Sequence, residues 1–209
     1  MKKNLLWIIP ALLLSCPAPL RSENTEDYIA NGNKFANKNQ FAEAIAQYQK
    51  AVKTDPKNNR ALFLISLCYA QSGDLDQALS YALSVSQKDP TYASFYNLGL
   101  IYSVRKESDK ALDALDQALA LNPKSFDAEY QKGLVYTNLK NYDQAVPFFQ
   151  KALRLNPSLD KVRLALFDAF LRQGDRNSAL AQIEEFRKMK KTAIVQALEA
   201  RMKGANPGL

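Results

Sequence analysis

Apolar residues recur three, four and seven positions apart along most of this chain, the spacing that lines one side of a helix. The stretch from Phe95 to Pro123 shows the pattern twice. Phe95, Leu98, Gly99 and Tyr102 share one face, and Ala111, Leu115, Ala118 and Leu119 share another. The polar run Lys106-Glu107-Ser108 separates the two faces, and Pro123 closes the unit. Two helices joined by a short turn are expected. The same pattern returns about every 34 residues, in units Thr25 to Asn58, Asn59 to Thr91, Tyr92 to Ser125, Phe126 to Leu159 and Asp160 to about Ala193. One such unit cannot bury its own apolar face, so neighbours must stack, and the expected fold is all-α.

With the closing proline set at position 32, the columns explain themselves. Position 8 holds Gly32, Ser66, Gly99, Gly133 and then Phe167. Position 20 is alanine throughout: Ala44, Ala78, Ala111, Ala145 and Ala179. Small residues at both positions let the two helices of a unit approach closely. Position 11 holds Phe35, Tyr69, Tyr102, Tyr136 and Phe170, and position 24 holds Tyr48, Ala82, Leu115, Phe149 and Ile183. Bulky side chains in these columns fill the space around the contact. Pro56, Pro90, Pro123 and Pro157 end the second helix, because proline disfavours helix in the residue before it and donates nothing to the next turn. Gly73-Asp74 and Gly174-Asp175 mark turns within units two and five, with aspartate placed to cap the helix that follows.

This pattern resembles the tetratricopeptide repeat family, whose period is 34 residues, over about Thr25 to Ala193. The resemblance implies a right-handed superhelical solenoid of five helix pairs. It also implies a concave face, lined by the first helix of each pair, that binds peptides or extended segments of other proteins. Carried onto this sequence, that face holds Asn33, Phe63, Leu67, Tyr96, Asn97, Leu100, Tyr130, Gln131 and Leu134. The aromatic and aliphatic members form a stripe for guest side chains. Asn97 and Gln131 are amides that both donate and accept, suited to a guest backbone. The stripe also admits a second reading, in which the first helix of the next unit partly covers it and it is core. The family's carboxylate clamp is absent, since Ile29, Phe63, Ala93 and Gln131 stand where clamp residues are required.

The fifth unit departs from the pattern. Phe167 and Phe186 stand in columns that are small elsewhere, and Lys191 replaces the proline. A last helix over Lys191 to Lys203, with Ile194, Leu198 and Met202 on one face, is expected to cover this bulk as a cap. Residues 204–209 read as a frayed tail.

Ahead of the repeats, Met1-Lys2-Lys3 precedes an apolar run, Leu5 to Leu14, that is short for a membrane span. Leu13-Leu14-Ser15-Cys16 resembles the bacterial lipobox. That resemblance implies a signal peptide over residues 1–15, lipidation of Cys16, and a tether over 16–24. It places the protein on the cell envelope, with the outer membrane favoured because Pro17 follows the cysteine. The alternative is an ordinary cleaved signal with an incidental cysteine.

Composition narrows the function. The net charge is +7, but the segment from Lys151 onward supplies most of it, with Arg172, Arg176, Arg187, Lys188, Lys190, Lys191, Arg201 and Lys203 among its cations. There is no histidine, which removes the usual general base and the commonest metal ligand. No catalytic site, metal, cofactor or nucleic-acid partner is expected. Cys68 lies within an expected helix as a small packed residue rather than a nucleophile. The expected function is that of a membrane-anchored adaptor that holds a protein partner in its groove during envelope assembly. A regulatory subunit of a cell-wall enzyme and a self-associating structural lipoprotein are the alternatives.

Overall fold

The computed structural model describes residues 24–204, which form eleven α-helices. They are α1 (Thr25–Ala36), α2 (Phe41–Thr54), α3 (Asn59–Ser72), α4 (Leu75–Lys88), α5 (Tyr92–Val104), α6 (Ser108–Leu121), α7 (Phe126–Asn138), α8 (Tyr142–Leu155), α9 (Asp160–Gln173), α10 (Arg176–Lys188) and α11 (Thr192–Gly204). Cys16, the apolar run before it, the tether and residues 205–209 lie outside the described residues.

Each odd-numbered helix through α9 begins at the first position of a repeat, and its even-numbered partner packs antiparallel on it. The turns inside the pairs need one residue with positive φ. Glycine supplies it in units two and five, at Gly73 (φ 89°) and Gly174 (φ 82°). Asn39, Lys106 and Lys140 supply it in the others. Asp74 and Asp175 then cap α4 and α10, accepting from the backbone N–H of Gln77 at 3.1 Å and Ser178 at 3.0 Å. Between pairs, the cap residues Asp55, Asp89, Asn122 and Asn156 turn away from helical geometry directly before the four closing prolines.

All five position-20 alanines are fully buried at the contact within a pair. Across from them, size in one column complements size in another. A methyl added at Gly32 would overlap the Tyr48 ring, and one at Gly133 would overlap the Phe149 ring. At Gly99 it would sit 2.8 Å from Leu115 Cγ. Unit two is small in both columns, at Ser66 and Ala82. There Ser66 Oγ donates to the carbonyl of Ala78 at 2.9 Å and accepts from Asn97 Nδ2 of the next unit at 3.0 Å.

The bulk of the fifth unit is covered from the C-terminal side. Phe167 and Phe186 are fully buried in one cluster with Val195, Leu198 and Met202 of α11, and Ile194 packs at its edge. The joint before α11 differs from the other joints between pairs. Lys190 adopts φ 58° and the Lys191 N–H donates to Phe186 O at 3.0 Å, the geometry of a turn inside a pair. A proline at Lys191 has no N–H to give, which explains why the column breaks there.

Candidate functional site

Odd-numbered helices pack on their odd-numbered neighbours, α3 on α5, α5 on α7 and α7 on α9, while even-numbered helices pack less closely on one another. The array therefore curves with the odd helices inside, and their outward residues line a groove. Phe63, Tyr96, Tyr130 and Leu164 form one row along it, and Leu67, Leu100 and Leu134 form a second; all are half-buried. The third unit carries the stripe furthest. Helix α5 has no charged residue from Tyr92 to Val104, and Tyr96, Leu100 and Val104 follow one another at four-residue intervals along it. Val104 is 64% exposed and Leu139 of the next unit 50% exposed. The two border a depression of about 480 Å³ at the end of α5.

The polar residues of this face are engaged with one another. Glu26 pairs with Arg60 at 3.2 Å and Asp127 with Lys161 at 3.3 Å, in each case one repeat apart. Lys161 also lies over the Tyr130 ring, 5.0 Å from its centre. Asp168 pairs with Arg201 of α11. These pairs include every charged residue at positions 2, 5, 6 and 9 of the five units. Tyr92 stacks on Tyr96 with ring centres 5.5 Å apart, and its hydroxyl lies 2.7 Å from Ser125 Oγ.

The amides expected to greet a guest backbone behave differently. Asn97 is only 3% exposed, and its amide crosses to Ser66 in the preceding unit, so it packs the joint between units and does not face the groove. The physical reason is the small Ser66–Ala82 pair, which leaves a buried hydroxyl within its reach. Asn33 Oδ1 accepts from Tyr48 Oη at 2.8 Å. Gln131 is half-buried on α7, close to the Tyr96 hydroxyl. Burial first, and then the Asp127 carboxylate, push the Tyr96 hydroxyl up to about 12. Burial likewise raises Tyr48 to about 12 and raises the thiol of the buried Cys68, which makes it a poor nucleophile.

The basic C-terminal segment is largely paired within itself. Arg187 holds Glu184 and Glu199, Lys188 holds Glu185, and Lys191 holds Asp160. Arg176 donates to the carbonyl of Met202. No group of three or more metal-ligating side chains occurs among the described residues, and no helix among them is long and apolar enough to cross a membrane.

Sequence reasoning missed one feature. Glu129 and Lys132 of α7 are buried at positions that are mostly apolar in other units, where Leu62, Phe95, Ile65, Leu98 and Leu166 stand. Lys132 pairs with Asp116 of α6 at 2.5 Å and lies 4.6 Å from the centre of the Phe148 ring. Lys151 Nζ approaches Glu129 Oε1 at 2.5 Å, but neither carboxylate oxygen makes an aligned hydrogen bond. Reading positions 4 and 7 down the repeats would have exposed both charges.

Residues 29–93, 92–125 and 126–159 match the family described as tetratricopeptide repeat, together more than half of the chain. The chain belongs to the tetratricopeptide repeat family. Among characterised members, the Hsp70-Hsp90 organizing protein 3 of Arabidopsis thaliana is 31% identical over 101 residues, 48% of this chain. The match spans only 18% of that protein's length. The Photosystem I assembly protein Ycf3 of Synechococcus sp. (strain CC9605) is 25% identical over 53% of this chain and 74% of its own. In three dimensions a crystal structure of MamA superposes with a TM-score of 0.70 at 29% identity, covering 81% of this repeat chain and 93% of that one. A tetratricopeptide repeat protein from Parabacteroides merdae ATCC 43184 superposes with a TM-score of 0.73 over 87% of this chain and 73% of its own. At 22% identity that likeness shows the fold alone. Tetratricopeptide repeat proteins mediate protein–protein interactions, which is the general role of this chain.

Proposed function

We propose that this chain is a non-catalytic adaptor held on the bacterial cell envelope, where its groove holds a segment of a protein partner during assembly of an envelope complex. One observation carries the groove assignment: an uncharged apolar and aromatic stripe that stays half-exposed along α3, α5 and α7. A helix without charges is ordinarily buried on all sides, and α5 has one side open. Large apolar surface left open in this way marks a site of interaction.

The anchor rests on Leu13-Leu14-Ser15-Cys16 behind a basic start and an apolar run. Two or three acyl chains on Cys16 hold a protein to a bilayer stably, where one is marginal. Pro17 after the cysteine supports the outer membrane as the destination.

Two experiments test the two halves. A photo-activated cross-linking residue placed at Tyr130 in cells is expected to trap a partner protein, and one placed at Leu180 of α10 is not. The reverse result transfers the function from the groove to the C-terminal end. Labelled palmitate is expected to enter the wild-type chain and not Cys16→Ala. Equal labelling of both, or of neither, removes the anchor.

A further inference from the structure

We infer that the groove selects a partner segment whose docking side is apolar and carries no charge. This rests on the groove being the binding surface. The first ground is charge complementarity. The Glu26–Arg60, Asp127–Lys161 and Asp168–Arg201 pairs neutralise positions 2, 5, 6 and 9 from within, with nothing left over. A charged guest residue on these rows would lose water and meet no free counter-charge, a cost that a buried unpaired ion does not recover. The second ground is the amides. Asn97 is buried on Ser66, Asn33 accepts from Tyr48, and Gln131 is half-buried beside Tyr96. What the groove offers is the Tyr96, Leu100, Val104 line on α5, with Leu67 and Leu134 to either side. Position 13, which holds Val104 in unit three, holds the exposed polar residues Gln71, Asn138 and Arg172 in units two, four and five. Apolar centre and polar rim is the anatomy of a protein interface whose affinity comes from burial.

Salt then separates this recognition from an ionic one. Ionic attraction between exposed charges is screened over about 10 Å at 0.1 M salt, whereas apolar burial is not.

The test uses the full chain, immobilised through its C terminus, and a phage-displayed library of random peptides. Selected peptides are expected to be rich in Leu, Ile, Phe and Met and poor in Asp, Glu, Lys and Arg. Their affinity is expected to change less than about twofold between roughly 50 and 500 mM NaCl. Leu100→Asp with Leu134→Asp is expected to weaken them about tenfold or more. Val104→Asp, at a site too exposed to disturb folding, is expected to weaken them as well, and circular dichroism checks the helix content of both variants. Enrichment of acidic or basic peptides, or a salt response beyond about tenfold, overturns this inference and leaves the groove as a binding surface. Selection of no peptide that depends on Leu100 and Leu134 overturns both. A dimer that sediments with the wild-type chain and dissolves in Val104→Asp makes the occupant a second copy, and overturns the partner assignment.

Discussion

The pair of positions 8 and 24 shows how single residues set the closeness of two helices. Gly133 stands against the Phe149 ring with no room for a methyl, so Gly133→Ala is expected to cost about 1–3 kcal/mol, as overpacked cores do. The cost belongs to the pair. Unit two places Ala82 against Ser66, so Gly133→Ala with Phe149→Ala is expected to recover part of the overlap while opening a different gap. A double-mutant cycle by urea denaturation reads this as a coupling, and strict additivity removes the explanation. Two tyrosines carry a second residue-scale consequence. Tyr48 and Tyr96 are both raised to about 12, chiefly by burial. The folded chain therefore keeps these protons longer than the unfolded chain, whose tyrosines titrate near about 10. The stability this represents is complete below about pH 10 and is lost as the pH climbs toward 12. Absorbance at the tyrosinate band is expected to rise in two phases, with the later one diminished in Tyr48→Phe and Tyr96→Phe. A single phase near the ordinary tyrosine value would contradict the burial.

At the scale of helices, the joint between units three and four differs from its neighbours. Other units place mostly apolar side chains at positions 4 and 7, where α7 has Glu129 and Lys132. Glu129 is fully buried, and its oxygens lack aligned hydrogen bonds. Replacing a poorly satisfied buried ion by a well-packed apolar residue is neutral or stabilising by about 1–4 kcal/mol. Glu129→Leu is thus expected to raise the urea midpoint, and Lys151, already half in water, loses little. A clear fall in the midpoint would assign the carboxylate a structural role instead. This joint also shows where sequence stops being legible. Helix starts, the alanine contact, the closing prolines and the cap on Phe167 and Phe186 all follow from short-range periodicity and volume, which a single chain displays openly. The groove's apolar rows were legible for the same reason. The fate of the amides was not, because Asn97 is drawn inward by a hydroxyl 31 residues away, at Ser66. Pairing such as Asp127 with Lys161 is likewise a matter of three-dimensional neighbours. The sequence places these residues at related repeat positions without saying which bonds they make.

At the scale of the molecule, a solenoid is a line of nearest-neighbour contacts, and its ends are where it fails. The C-terminal end depends on α11. Val195, Leu198 and Met202 cover Phe167 and Phe186, and Arg201 and Glu199 tie the same helix to Asp168 of α9 and Arg187 of α10. Ion pairs this exposed contribute little, so the apolar cover is the main term. Leu198→Ala is expected to cost about 2–5 kcal/mol at this joint, the range for a large-to-small change in a core. Because each unit touches only its neighbours, the loss should stay local. Amide hydrogen exchange is expected to accelerate strongly in α9, α10 and α11, weakly in α8, and not at all in α1 to α4. The groove rows on α3, α5 and α7 would then remain intact, and peptides that dock on Leu100 should bind the variant as they bind the wild type. A uniform acceleration through all the helices would show that the eleven fold as one cooperative unit. In that case damage at the cap would reach the groove through global stability rather than through contact.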